Sequence, residues 1–145
     1  MDDIYFEDVV PGAGLHAGPY IVPEQELMSF SAIWDPLPIH IDRDYAARHG
    51  GLTAPGVYLL AIKLRLVHTF GFRNTVIASF GYDEVRFHKP VHPGDALMLE
   101  FTWTEKRRSR SKPGRGIVAG RYALTVEGEP VLSHRDTLLM RLRNP

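Results

Sequence analysis

The sequence predicts an α+β fold, a curved antiparallel sheet wrapped around one long apolar helix. Three observations carry that prediction. The apolar period changes near residue 75, from helical spacing before it to alternation after it. The later apolar runs follow one another through short turns, as antiparallel strands do. The segment "APGVYLLAIKLRLVHTF" is apolar nearly all round its first two turns, so it must be covered on most sides.

The elements follow in order. "PEQELMSFSAIWD" opens on a proline, carries acidic residues in its first turn and spaces Leu27, Phe30 and Trp34 as a helix does. Pro36 ends it, because the residue before a proline avoids the helical region. "DRDYAARHGG" reads as a short second helix, with Asp42 as its N-cap and Gly50 or Gly51 as its stop. In the long helix Pro55 suits the first position, and Val57, Leu60, Ala61, Leu64 and Val67 form one stripe that Tyr58, Leu59 and Ile62 widen. "TVIASF", "EVRF", "ALMLEFTWTE", "GIVAGRYALTV" and "PVLSHRDTLLMRL" read as strands. Leu97, Leu99, Phe101 and Trp103 point one way, and Met98, Glu100, Thr102 and Thr104 the other. "HPGD" at 92–95 and "EGE" at 127–129 are tight turns.

Length and composition set the bounds. A chain of 145 residues with 44% apolar content suffices for one domain over 1–145 with its own core. Seventeen basic residues balance seventeen acidic ones, so no overall field draws the chain to nucleic acid or to an anionic membrane. The absence of cysteine excludes disulfides, thiolate metal sites and a cysteine nucleophile, and it fits a reducing compartment. The N-terminus, "MDDIYFEDVV", lacks the basic and then apolar pattern of a signal peptide. The longest apolar run is broken by Lys63 and Arg65 and is too short to span a bilayer. The expectation is a soluble cytoplasmic protein.

The chemistry concentrates in "IWDPLPIHID", residues 33–42. Asp35 stands where a helix gives way to a stiff turn, and Pro36 and Pro38 fix the path to His40. A carboxylate and an imidazole held together can activate a water, one group taking a proton while the other returns it. The neighbours Trp34, Leu37, Ile39 and Ile41 suggest an apolar setting that raises the carboxylate's affinity for its proton. The plainer reading is that Asp35 caps a turn and His40 is a satisfied, partly buried histidine. Asp42 is explained by capping alone. Gly56 opens the apolar helix, where free N–H groups can stabilise a carbonyl oxygen that gains charge, although "APG" is also an ordinary helix start. "EKRRSRSKPGRG" holds Arg107, Arg108, Arg110 and Lys112 among its cations. Such a loop can grip phosphates or simply be a solvated hairpin tip. The histidines at 16, 49, 68, 88, 92 and 134 show no metal-ligand spacing. No phosphate loop, dinucleotide fingerprint or serine-hydrolase elbow is present.

Taken together, "WDPLPIHID", "GGLTAPG" before an apolar helix, and "VRFHKPVHPGDALMLEF" resemble the MaoC-like dehydratases, which are related to the (R)-specific enoyl-CoA hydratases. The resemblance runs through nearly the whole chain in order. It implies a hot-dog fold and places the family's catalytic aspartate and histidine on Asp35 and His40. It implies that this pair holds the water that adds to an enoyl-CoA thioester, and that the Gly56 N–H holds the thioester oxygen. It also implies an enzyme that needs no metal or organic cofactor and acts as a homodimer or a dimer of dimers. Two positions depart from the family's pattern. Leu37 stands where relatives carry an amide, and the long helix offers only Tyr58 and Thr69 for the small hydroxyl many relatives have. An acyl-CoA thioesterase and a non-catalytic acyl-CoA-binding protein on the same fold are the alternative functions.

Overall fold

The computed structural model describes residues 1–145. After a 3-10 turn at Phe6–Asp8, the elements are β1 (Gly14–Ile21), α1 (Glu24–Trp34), α2 (Pro38–Ile41), α3 (Arg43–Ala47), α4 (Gly56–Val67), β2 (Val76–Phe87), β3 (Ala96–Arg108), β4 (Arg115–Val126) and β5 (Glu129–Arg141). The strands form one antiparallel sheet in the order β1-β3-β4-β5-β2. The links from β3 to β5 are short, six residues between β3 and β4 and two between β4 and β5, and links of that length join antiparallel neighbours. The β4–β5 hairpin turns through Glu127 and Gly128, both at positive φ. At the turn before β3, the Asp95 carboxylate accepts from His92 N at 2.9 Å.

The alternation read in β3 holds. Leu97, Leu99, Phe101 and Trp103 are each at most 3% exposed. They share one core with Leu59, Ile62 and Leu66 of α4 and Leu124, Leu132, Leu138 and Met140 of the neighbouring strands. Each such side chain contributes roughly 1.5–3 kcal/mol on burial, so this shared surface, rather than helix propensity, holds α4 in the sheet.

The structure differs from the sequence reading at four points. First, the buried face of α4 is Tyr58, Leu59, Ile62, Lys63 and Leu66, whereas Val57 and Leu64 of the expected stripe are 50% and 44% exposed. A helix apolar on nearly every side carries no periodic signal to say which face turns inward. Second, "TVIASF" and "EVRF" are one strand, β2, whose register against β5 shifts around Gly81 and Glu84, both at positive φ. Third, β1 gave no strand signal because Gly18 and Pro19 interrupt it. A side chain at Gly18 would come within 2.7 Å of the Leu97 carbonyl oxygen, and the β1–β3 register shifts there. Fourth, Pro55 is the N-cap of α4, and Gly56 is its first residue.

Candidate functional site

α1 ends where its sequence says it should. Asp35 is the C-cap, its N–H still bonding Ser31 O at 2.8 Å while its ψ leaves the helical range. After Pro36, Pro38 starts the one-turn helix α2, and His40 lies in that turn. The segment before α4 is pinned behind His40 by Thr53 N to Ile39 O at 3.2 Å and Ala54 N to Val91 O at 2.8 Å. That path delivers the Thr53 carbonyl to His40 Nδ1 at 2.5 Å. A carbonyl only accepts, so Nδ1 carries the hydrogen, and in the neutral ring Nε2 presents its lone pair. Nε2 faces Asp35 Oδ2 at 3.6 Å.

Both facing atoms are then acceptors, at a separation too long for a direct hydrogen bond. Their common complement is a molecule that donates to each, such as water, or a proton taken up by the pair. His40 is buried, whereas the Asp35 side chain is 38% exposed. The expected apolar enclosure of Asp35 is absent from the single chain, because Trp34 and Leu37 are 68% and 54% exposed. The local turn directs those two side chains outward instead.

Asp35, His40 and Gly56 line one cavity of about 320 Å³ together with Thr53, Leu59, Phe87 and His88. Gly56 N finds no acceptor in the chain, as befits the first N–H of a helix. The Phe87 ring lies against Gly56 so closely that an added Cβ would stand 2.3 Å from its Cζ. This close approach gives a glycine at 56 a physical reason beyond helix initiation. His88 Nε2 pairs with Ser133 Oγ at 2.7 Å, and Lys89 is ion-paired with Glu129. A larger groove of about 630 Å³ runs along β1 and β3, where His16 and Glu100 are its only acid–base side chains.

The other candidates fall elsewhere. Asp42 caps α3, its Oδ1 accepting from Tyr45 N at 3.0 Å. Leu37 does not line this cavity. Tyr58 donates to Glu26 at 2.6 Å and Thr69 to Leu66 O at 2.7 Å, so neither replaces the missing hydroxyl. Arg107, Arg108, Arg110 and Lys112 sit at the β3–β4 hairpin. Phe87 lies opposite Leu132, and Leu132 opposite Leu124. Arg115 is nine residues from Leu124 along β4, roughly 30 Å of strand. Within one chain the basic loop therefore does not meet the cavity. Thr53 and Phe87 are not among the sequence candidates, and His88 enters there only as a histidine without metal-ligand spacing. "RFHKP" could have flagged the last two, since a strand ending at a proline delivers its final side chains to the sheet's rim. No three metal-ligating side chains converge, and no helix is long and apolar enough to cross a membrane.

The fold is the hot-dog fold, and the chain belongs to the MaoC-like domain family, whose model matches residues 9–123. A MaoC-like dehydratase from Rhodospirillum rubrum superposes with a TM-score of 0.87 at 31% identity, over 97% of this chain and 98% of that one. Among curated relatives, the chain is 30% identical over 129 residues to Protein MaoC of Klebsiella aerogenes, covering 84% of this chain and 38% of that protein. It is 33% identical over 144 residues to a mesaconyl-CoA hydratase of Cereibacter sphaeroides, covering 97% of this chain and 42% of that protein. The chain thus spans about two fifths of the length of these two relatives. An (R)-hydratase of Pseudomonas aeruginosa shares the fold, with a TM-score of 0.76 at 23% identity over 97% of this chain and 88% of that one.

Proposed function

We propose that this chain is a cofactor-independent hydratase or dehydratase acting on an enoyl-CoA or 3-hydroxyacyl-CoA thioester. The observation that carries the reading is that Asp35, His40 and Gly56, whose N–H has no acceptor in the chain, line one cavity. The two acceptors hold one water by its two hydrogens. As the water oxygen bonds to the β carbon of the alkene, the pair takes one of its protons and returns a proton to the α carbon. The π bond is lost, and a C–O and a C–H bond are gained. Charge that builds on the thioester oxygen is met by Gly56 N–H at the positive end of the twelve-residue helix α4. Delivery from one face gives an (R)-3-hydroxyacyl product, and the reverse is dehydration.

The working unit is a homodimer in this reading. β2 is an edge strand, and Phe80 and Phe87 on it, with Val57 and Leu64 on α4, are 44–56% exposed. Antiparallel pairing of β2 with its copy would set the Val76 end of one chain beside the Phe87 end of the other. The partner's basic loop, Arg107 to Lys112, would then approach the cavity it cannot reach within its own chain and meet the CoA phosphates.

The test follows loss of the conjugated double bond and release of free CoA thiol together, with enoyl-CoA substrates of several lengths. Double-bond loss without thiol supports the proposal. Thiol release supports the thioesterase, in which the same water attacks the carbonyl. Binding with neither reaction supports the non-catalytic alternative.

A further inference from the structure

A second cavity, of about 200 Å³, lies further along α4. Gly56, Leu59 and Lys63 fall at i, i+3 and i+7 on one face, so the two cavities open on successive turns of one helix. Leu59 lines the first and Lys63 the second. Lys63 is 1% exposed, and its ammonium has no hydrogen-bond acceptor. It is held over the Tyr82 ring at 4.1 Å and the Tyr122 ring at 4.8 Å. Asp136, 4% exposed, lines the same cavity and accepts from Ser79 Oγ at 2.5 Å, yet it forms no ion pair with Lys63. The remaining walls include Leu64, Val67, Phe72 and Leu138.

Buried donors without acceptors are rare in folded chains, and a buried ammonium is among the least tolerated. Cation–π contacts offset its desolvation without satisfying its three N–H groups. A ligand that completes the site must accept from Lys63. It should also be neutral at the buried cluster, where the Asp136 carboxylate already balances the ammonium, since the cavity's other basic side chains, His68 and Arg73, are exposed. A hydroxyl qualifies, since it accepts from Lys63 and can donate to Asp136.

We infer that this cavity receives the far end of the acyl chain and that it selects a chain ending in a neutral hydroxyl group. The inference rests on the thioester reading of the first cavity. Seven residues of helix separate Gly56 from Lys63, about 10 Å, which suits an acyl chain of medium length. The apolar walls then line the methylenes, and the polar cluster meets the terminus.

Three matched CoA thioesters of about eight carbons test it, unsaturated at C2 and ending in a methyl, a hydroxyl or a carboxylate. The hydroxyl-ended substrate is expected to have the highest kcat/KM. In Lys63→Met its advantage over the methyl-ended one should shrink on the order of tenfold to a hundredfold, as loss of a hydrogen bond to a buried charge requires. Lys63→Gln, which keeps a donor, should retain part of it and serves if Lys63→Met folds poorly. A methyl-ended or carboxylate-ended preference in the wild type would overturn the inference. So would equal losses on all three substrates, which mark Lys63 as a structural ion joining α4 to the sheet. If no thioester turns over, titration calorimetry with saturated 8-hydroxyoctanoyl-CoA and octanoyl-CoA separates the two claims. A preference for the former that Lys63→Met abolishes keeps this inference while the hydratase reading fails, and equal affinities overturn it.

Discussion

His40 Nε2 and Asp35 Oδ2 face each other at 3.6 Å, and the bond from Nδ1–H to Thr53 O leaves both facing atoms as acceptors. That pairing is what a shared water needs, and it ties the chemistry to a backbone carbonyl thirteen residues further along the chain.

Asp35→Asn and His40→Ala should each lower kcat by about 10²- to 10⁴-fold, the usual share of a positioned acid–base group. Asp35 is a partly exposed helix end, so its variant should melt within a few degrees of wild type. Circular dichroism beside steady-state rates checks both. Full activity in either variant would remove that residue from the mechanism.

Gly56→Ala should separate stability from activity. The three atoms nearest the added methyl all belong to the far end of the half-exposed Phe87 ring, which can swing away. Stability should change by less than about 1 kcal/mol, since alanine also favours the helix. Turnover should fall, because the displaced ring and the methyl crowd the N–H proposed to receive the thioester oxygen. Thermal melts and kcat/KM, measured alongside Gly56→Ala/Phe87→Ala, test this, and the double variant should recover part of the lost rate.

Asp42→Ala should cost about 1 kcal/mol of stability through loss of the α3 cap and leave the rate per folded molecule unchanged. Urea unfolding with rate measurement decides this. A loss of rate without loss of stability would return Asp42 to the site.

Lys63 gives a pH signature. Burial pulls its pKa from 10.5 down to about 8, against the opposing pull of Asp136. The unfolded chain therefore holds this proton more tightly, and folding gains stability as pH rises from about 8 towards 10.5. The gain between pH 8 and 10 is about 2–3 kcal/mol at most, by the free energy of one pKa unit. Tyr82 and Tyr122, whose pKa values burial raises, act with the opposite sign above pH 10. His134, lowered by burial to about 4, titrates below this window, and burial raises the carboxyl of Asp136. The wild-type stability minus that of Lys63→Met should therefore rise across pH 8–10. A flat difference would mean that Lys63 is not desolvated.

Much of this was legible in the sequence where local chemistry decides the outcome. Pro36 stopped α1, Asp42 capped α3, and alternation set the inward face of β3. Asp35, His40 and Gly56 could be named because prolines and a helix start mark them locally. What stayed hidden depends on partners distant in the chain. Lys63 read as a charge interrupting an apolar run, and only the sheet's curvature buries it between Tyr82 and Tyr122. The face of α4 was illegible for the same reason, and β1 because its break makes sense only against Leu97. The reach of the basic loop depends on strand length and assembly, which residue types do not encode.

The central claim is that the Asp35–His40 pair directs a water to an alkene. The most direct measurement is turnover of a 2-enoyl-CoA in ¹⁸O-labelled water, with the product read by mass spectrometry for wild type and Asp35→Asn. The account predicts label on the C3 hydroxyl of an intact thioester in the wild type and almost none in the variant. Label in a freed carboxylate, or equal labelling in both proteins, would contradict it.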